Sequence, residues 1–268
     1  MRAQVLLENE TDRSDLVAEH GLSLWIEAGE SRVLFDTGPS DACTRNARVL
    51  GIELASADVI VISHGHQDHA GGLADVAARA GGAAIYAGEG ITAPRYSRTD
   101  DGMKSVGLDP QTINAVAHRL RTAEDGQTLV PGVEVLSGFP SVFARPADNQ
   151  RLLVGGPDGI RPDPFRDELA LLLETKTGHV VVSGCSHRGI GNIIKKARDR
   201  VGSVAGVIGG FHLHKESDDT IRAMAEAFRG IPRIFAGHCT GGRALEILEG
   251  ELGQGVVPLT TGLQIEIP

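Results

Sequence analysis

The sequence has few cysteines and no long apolar run. Only Cys43, Cys185 and Cys239 occur among its 268 residues, which argues against a disulfide framework and favours a reducing compartment. No window approaches about 18 continuous apolar residues, so no transmembrane helix is expected. The opening MRAQVLLENETDRSD lacks the apolar core of a signal peptide. We therefore expect a cytoplasmic protein with no membrane partner.

An excess of positive charge is also absent. The chain carries 26 Lys and Arg against 35 Asp and Glu, a formal net charge of −9. Proteins that bind nucleic acid usually present a basic surface to the phosphates, so no nucleic-acid partner is expected. The hydrophobic fraction of 41% is typical of a globular protein, and no obvious linker divides the chain. We expect a single domain over residues 1–268; the sequence does not indicate its oligomeric state.

The apolar pattern predicts a layered α/β fold. Residues 22–29 and 31–38 read as a hairpin, and 58–63 as a strand buried on both faces. From residue 168 onward, strands alternate with helices that have one apolar face. Between about 88 and 166 the pattern is weaker, which predicts an irregular insertion that shapes a binding cleft.

The segment ISHGHQDHAGG contains an unusual density of metal-ligand side chains. Directly after the predicted strand 58–63 come His64, His66, Asp68 and His69. Imidazole and carboxylate are the usual protein ligands for zinc, iron and manganese. The spacing can point alternate side chains at two neighbouring ions, whereas the same groups without a metal would face repulsion or desolvation. The segment therefore predicts a metal site.

Three later strand ends also carry histidine or cysteine. They are followed by Cys185 and His187, by His212, and by His238. In α/β folds such strand ends gather on one rim where ligands bind, so four distant segments are expected to meet in one cleft. Three further histidines are interpreted as ordinary surface or core residues: His118, His179 and His214. The roles of His20 and Asp36, as cleft residues or as turn caps, stay open.

The motif His-x-His-x-Asp-His after a buried strand resembles the signature of the metallo-β-lactamase superfamily. Segments 183–192, 209–213 and 236–242 (SGCSHRGIGN, GGFHL and AGHCTGG) are similar to one branch of it, the 7,8-dihydropterin-6-yl-methyl-4-(β-D-ribofuranosyl)aminobenzene 5′-phosphate synthases. The resemblance implies a four-layer αβ/βα sandwich with the metals at one edge of its two sheets.

The resemblance also implies a set of ligands. His64, His66 and His187 would hold one metal, and Asp68, His69 and His238 a second. Cys185 stands where the common hydrolases of the family have a bridging aspartate, so it is either a ligand or a packed neighbour. One or two divalent ions are therefore expected, with zinc favoured and iron or manganese as alternatives.

Such a site would supply a metal-activated hydroxide at neutral pH. Asp68 would orient this nucleophile and shuttle its proton, while His212 would contact substrate or transfer a proton. The two helix starts near the same rim favour anions, and their residues are predicted to bind a small anionic, phosphorylated substrate: Arg188, Gly189, Gly241, Gly242 and Arg243. The alternative is that these glycines only allow tight turns.

Four functions remain open at this point. The first is a metal-dependent hydrolase of a small anionic ester, phosphodiester or lactone. The second is a synthase or transferase acting on a pterin-like phosphorylated substrate. The third is iron-dependent oxygen or persulfide chemistry, and the fourth is a non-catalytic metal-binding protein.

Overall fold

A computed structural model describes residues 1–253 and 255–267 and contains three sheets. The strands in chain order are β1 Arg2–Leu7, β2 Ser23–Ala28, β3 Ser31–Phe35, β4 Val59–Ile62, β5 Ala84–Ala87, β6 Arg95–Thr99, β7 Gly102–Ser105, β8 Leu120–Thr122, β9 Thr128–Val130, β10 Val133–Leu136, β11 Leu152–Gly156, β12 Gly159–Pro162, β13 Ala170–Thr175, β14 Gly178–Ser183, β15 Val204–Gly210, β16 Ile234–Gly237, β17 Val256–Pro258 and β18 Gln264–Glu266. The helices are α1 Ala42–Val49, α2 Gln67–Ala70, α3 Leu73–Arg79, α4 Pro110–Val116, α5 Ile190–Val201, α6 Asp218–Phe228 and α7 Gly242–Leu252, and short 3₁₀ turns cover Leu54–Ser56 and Ala147–Arg151.

Two seven-stranded sheets form the centre of the molecule. The first has the order β18-β1-β2-β3-β4-β5-β8, and the second has the order β17-β16-β15-β14-β13-β10-β9. Strands β2 and β3 form the predicted antiparallel hairpin, with Leu24 opposite Phe35. Strands β3, β4, β5 and β8 run parallel, as do β14 to β17 in the other sheet. Each sheet therefore presents several carboxyl strand ends at one edge.

The sheets and helices stack in four layers. One hydrophobic cluster lies between the two sheets and includes Val61 and Val182. A second lies between the first sheet and helices α1, α3 and α4, and a third lies between the second sheet and helices α5, α6 and α7. Strand β4 supplies Val59 and Val61 to the central cluster and Ile60 and Ile62 to the helix side, so its four residues are buried on both faces. This is the αβ/βα sandwich that the sequence predicted.

The segment 88–166, predicted as an irregular insertion, contains a small sheet of its own. Strands β6, β7, β11 and β12 form a four-stranded sheet, with Leu152 opposite Ser97. The same segment also contributes β8 to the first large sheet and β9 and β10 to the second. These strands are short and several are exposed, for example β7 and β12, so their alternation is too weak to read from the sequence. Among the described residues no helix is long and apolar enough to cross a membrane.

Candidate metal centre

A carboxylate directly after the neighbouring strand β3 holds the loop that follows β4. Asp36, directly after β3, accepts hydrogen bonds from the backbone N–H and the hydroxyl of Ser63, each at 2.7 Å. The second carboxylate oxygen also lies 2.7 Å from Nδ1 of His69. Asp36 is fully buried and has a left-handed backbone, with φ of 58°. The open question about Asp36 is thus settled: it positions the loop and orients His69.

A buried ion cluster holds the same loop from the other side. The backbone N–H of Gly65 donates to Oδ2 of Asp167 at 2.8 Å, and Arg95 Nη2 lies 2.7 Å from that oxygen. Arg95 Nε also lies 3.2 Å from Asp163. A Cβ on Gly65 would approach Arg95 Nη1 to 2.3 Å, so only glycine allows this close approach. The cluster fixes the backbone between His64 and His66.

One group of candidate ligands consists of His64, Cys185 and His187, with one ligand atom of each within 4.8 Å of the others. His66 lies beside them, and its Nδ1 is 3.2 Å from His64 Nε2. His187 is oriented by Asn149, whose Oδ1 lies 2.9 Å from its Nδ1. Nε2 of His66 and of His187 have no hydrogen-bond partner in the part of the chain that the structure describes. The three residues predicted to hold the first metal thus come together, with Cys185 beside them.

A second group consists of Asp68, His69, Cys185 and His238. Nε2 of His69 lies 3.1 Å from both Cys185 Sγ and His238 Nε2. Asp68 Oδ2 is 3.3 Å from His238 Nε2. This is the set predicted for a second metal plus Cys185, which is common to both groups. The thiol therefore lies within reach of both groups of candidate ligands.

Two buried glutamates hold the ligand loops of the second sheet. Glu168 accepts the backbone N–H groups of His187 and Arg188, each at 2.5 Å. Glu8 accepts the backbone N–H groups of His238 and Glu10. Burial raises the pKa of Glu8, and it raises the pKa of Glu168 to about 7. Each carboxylate fixes the backbone of a histidine that faces the cleft.

The electrostatics favour neutral imidazoles at the first group. Burial lowers the pKa of His66 to about 3 and holds the pKa of His64 and His187 well below the usual value. Neutral imidazole is the form that binds metal. Burial also acts to lower the pKa of His69, but the Asp36 and Asp68 carboxylates outweigh it and raise that pKa to about 9.

The donor set fits a divalent transition metal. Imidazole nitrogen, thiolate sulfur and one carboxylate suit zinc or iron, whereas magnesium and calcium take mainly oxygen ligands. The unpartnered Nε2 atoms of His66 and His187 support this assignment. A buried polar atom without a partner costs about 1–3 kcal/mol, and a bound ion would offset that cost.

The ligands open onto a cavity of about 710 Å³. One wall of the cavity, the β6–β7 wall, comes from β6, β7 and the turn Ala147–Arg151, which all belong to the segment 88–166. His20 also lines the cavity, 3.5 Å from Asp68 Oδ2, which answers the second question left open. His214 lines it too, contrary to its interpretation as an ordinary residue, while His118 is exposed and His179 lies within β14.

The five residues predicted to bind the substrate do not line this cavity. Arg188 donates to the carbonyl of Phe139, and Arg243 is exposed and pairs with Asp218. Gly189 and Gly241 are the N-caps of α5 and α7, with φ of 87° and 83°, and no atom lies within 4 Å of a Cβ built on Gly242. At Gly189 and Gly241 the backbone therefore supports the alternative interpretation, in which the glycines permit tight turns before the helices.

Several cleft residues had no signal in the sequence. Asp148 is nearly buried and lies 2.8 Å from Arg151 and 3.0 Å from Lys215. His212 lines the cavity as predicted, 3.8 Å from Asp148. Asp148 and Asn149 stand in a segment without periodicity. Cys239, by contrast, directly follows His238 in GHCTGG and could have been considered.

Comparison with known proteins decides the family. The sequence pattern of the metallo-beta-lactamase superfamily matches residues 17–201. The chain belongs to the metallo-β-lactamase superfamily. It is 30% identical to the 7,8-dihydropterin-6-methyl-4-(beta-D-ribofuranosyl)-aminobenzene-5'-phosphate synthase of Methanocaldococcus jannaschii over 251 residues, which cover 85% of this chain and 83% of the relative.

Solved structures agree with this membership. Tm1679, described as a metal-dependent hydrolase of the beta-lactamase superfamily, superposes with a TM-score of 0.87 and 33% identity, covering 100% of this chain and 99% of that one. Zn(2+)-bound PqqB from Methylobacterium extorquens superposes with a TM-score of 0.63 and 13% identity, covering both chains fully (100% each). The second likeness concerns the fold alone.

Proposed function

We propose that this superfamily member is a metal-dependent enzyme that hydrolyses a small phosphorylated or otherwise anionic substrate. The observation that carries the proposal is the convergence of two ligand groups on Cys185 at the floor of an open cavity. A divalent ion, when bound, lowers the pKa of water to about 7 and polarises a substrate oxygen. Zinc is the favoured ion because the donor set combines imidazole with a thiol.

The side chains around the ligands have distinct roles in this proposal. Asp68 faces the cavity and lies within 3.5 Å of both His20 and His238, so its carboxylate can orient an attacking water and accept its proton. His212 lies next to His187 and also lines the cavity, where it can donate a proton to a leaving group.

Substrate binding is assigned to the β6–β7 wall. Lys104 and Arg151 line the cavity together with the hydroxyl side chains of Ser97, Thr99 and Ser105. Cationic and hydroxyl donors of this kind bind phosphate oxygens. This wall replaces the two helix starts as the proposed phosphate site, because those do not reach the cavity.

A second candidate is a synthase that acts on a pterin-like phosphorylated substrate. It is favoured by the relative at 30% identity, a synthase whose named product contains a dihydropterin, an aminobenzene and a ribofuranosyl phosphate. The same cavity and the same ligands would serve either reaction. The two candidates differ in whether water is consumed or two organic substrates are joined.

A substrate panel on the zinc-loaded and iron-loaded protein tests the proposal. Phosphomonoesters, phosphodiesters, lactones, and a dihydropterin offered with an aminobenzene ribofuranosyl phosphate are each followed by mass spectrometry. Products that carry oxygen from labelled water identify the hydrolase, and a joined product identifies the synthase. Oxygen consumption by the iron form would identify oxygen chemistry instead, and inertness towards the whole panel would favour a metal-binding protein.

Substitution of His187 tests the ligand assignment separately from activity. His187→Ala is expected to lower the metal content at equal protein concentration, because the substitution removes a buried Nε2 that has no other partner among the described residues. Metal content is measured by elemental analysis after dialysis. Full retention of metal would show that His187 is not a ligand.

A further inference from the structure

A third group of candidate ligands lies beside the two described above. It consists of Cys185, His212 and Cys239, with one ligand atom of each within 4.8 Å of the others. These residues follow β14, β15 and β16, which are adjacent parallel strands. Their carboxyl ends therefore bring two thiols and an imidazole to one edge of the sheet. The proposed function does not use Cys239.

His212 lacks a partner although it is buried. Its exposed fraction is 8%, and neither ring nitrogen has a hydrogen-bond partner among residues 1–253 and 255–267. Asp148 Oδ2, at 3.8 Å from Nε2, is beyond hydrogen-bond distance. The backbone of His212 is also left-handed, with φ of 51°, a conformation that is rare outside glycine and is concentrated at functional sites. An unpartnered imidazole held in this way points to a missing ligand.

The position of the Cys239 thiol depends on a glycine. A Cβ built on Gly210 would lie 2.7 Å from Cys239 Sγ and 2.7 Å from the carbonyl oxygen of Gly184. Cys239 Sγ in turn lies 3.5 Å from the carbonyl oxygen of Cys185. The absence of a side chain at 210 therefore gives the thiol room to approach Cys185. Both thiols and His212 line the cavity.

Cys43 shows what a structural cysteine looks like in this protein. It packs in the cluster between the first sheet and its helices, and its Sγ lies 3.2 Å from the hydroxyl of Ser23. Within the described part of the chain it belongs to no ligand group and does not line the cavity. Cys43 thus serves as a matched control for Cys239.

We propose that Cys239 is a second thiolate ligand of the metal centre. Together with Cys185 and His212 it forms a Cys₂His site for a thiophilic ion such as zinc. This inference rests on the metal-dependent function proposed above and names the class of metal that it uses. It makes His212 a metal ligand in place of the proton donor assigned there. Three protein ligands leave a fourth position open towards the cavity, an arrangement that is known for catalytic zinc. Two thiolates favour zinc over magnesium, calcium or manganese. Metal binding releases the thiol protons to solvent.

Cobalt titration of the metal-free, reduced protein tests the proposal. Thiolate ligands give Co²⁺ a near-ultraviolet charge-transfer band whose intensity rises with the number of cobalt–sulfur bonds. Cys239→Ser is expected to lose on the order of a third to a half of the wild-type band at saturation. Cys43→Ser is expected to keep it in full. An unchanged band in Cys239→Ser would overturn the proposal.

Alkylation of the wild-type protein gives a test that needs no variant. Iodoacetamide is applied to the metal-free and zinc-loaded forms, and the labelled cysteines are located by peptide mass spectrometry. Zinc is expected to protect both Cys185 and Cys239 at least about ten-fold, because thiolates bound to metal are poor nucleophiles. Protection of Cys185 alone would overturn the inference.

Failure of the proposed function and failure of this inference give different results. If neither cobalt nor zinc binds the wild-type protein, the proposed metal-dependent function fails and this inference fails with it. If metal binds at full stoichiometry but Cys239 contributes no cobalt–sulfur band and gains no protection from alkylation, only the proposed Cys₂His site is wrong.

Discussion

Oδ2 of Asp36 lies 2.7 Å from Nδ1 of His69, so the nitrogen of His69 that remains free is Nε2, the one that faces Cys185 and His238. The same carboxylate binds Ser63 at the end of β4. One side chain directly after β3 therefore connects the backbone of the ligand loop to the orientation of a ligand ring. Hydrogen bonds of this kind fix the tautomer of a metal-bound histidine and raise its basicity.

Asp36→Asn is expected to weaken metal binding about 10- to 100-fold, the usual cost of losing a carboxylate behind a histidine ligand. The substitution keeps the size of the side chain but removes its charge. Competition with a chromophoric chelator measures the affinity. The control is Asp41→Asn, a surface carboxylate that pairs with Arg45. Equal affinities for the wild type and Asp36→Asn would show that Asp36 has only a packing role.

The buried ion cluster under the ligand loop is expected to matter for stability. Arg95→Ala would leave Asp163 and Asp167 without their cation, and an uncompensated buried charge costs about 3–5 kcal/mol. Arg2→Ala removes an exposed partner of Glu27 and should cost about 1 kcal/mol or less. Urea unfolding of both variants measures the difference. Similar losses in the two would mean that the cluster contributes little.

The ligand loop could be predicted from the sequence because its signal is local. Strand β4 is an unbroken apolar run buried on both faces, and the ligands follow it within seven positions, from Ser63 to His69. His187 and His238 follow strands with equally clear patterns. The relevant information in each case lies in one short segment, so strand assignment was enough to place these residues at one edge.

The β6–β7 wall of the cavity could not be predicted in this way. Asp148 reaches the cavity and Asn149 reaches His187 because β11 pairs with β6, which lies more than fifty residues earlier in the chain. That pairing depends on tertiary contacts that no short window contains. The sequence likewise located the starts of α5 and α7 but not their direction, which the left-handed Gly189 and Gly241 determine.

The metal-free protein is expected to be most stable near pH 6.5. Burial lowers the pKa of His66 to about 3 and that of His64 and His187 well below the usual value, so below pH 6.5 the unfolded chain binds more protons. The free energy of unfolding then falls as the pH falls, by about 1.4 kcal/mol per pH unit for each ring.

Above pH 6.5 the free energy of unfolding is expected to fall as the pH rises. The neighbouring carboxylates outweigh burial and raise the pKa of His69 to about 9, so the folded protein holds the extra proton and loses stability as the pH rises. Urea unfolding of the chelator-treated protein between pH 4 and 8 measures both slopes. His66→Asn should flatten the acidic slope, and His118→Asn, at an exposed position, should not. An acidic slope that His66→Asn leaves unchanged would contradict the expectation.

Lys104 is expected to provide the main cationic contact for a phosphate group in the cavity. It lines the β6–β7 wall, and within the described residues no ion pair of Lys104 is found, whereas Arg151 is paired with Asp148. Lys104→Ala should weaken binding of inorganic phosphate to the metal-loaded protein about ten-fold, because a charge-assisted hydrogen bond contributes about 1.5 kcal/mol or more. Calorimetric titration measures the affinity, and Lys176→Ala in the exposed turn between β13 and β14 is the control. If Lys104→Ala binds phosphate normally while Arg188→Ala or Arg243→Ala does not, the anion is bound at the helix starts. The assignment of the phosphate site to the β6–β7 wall is then wrong.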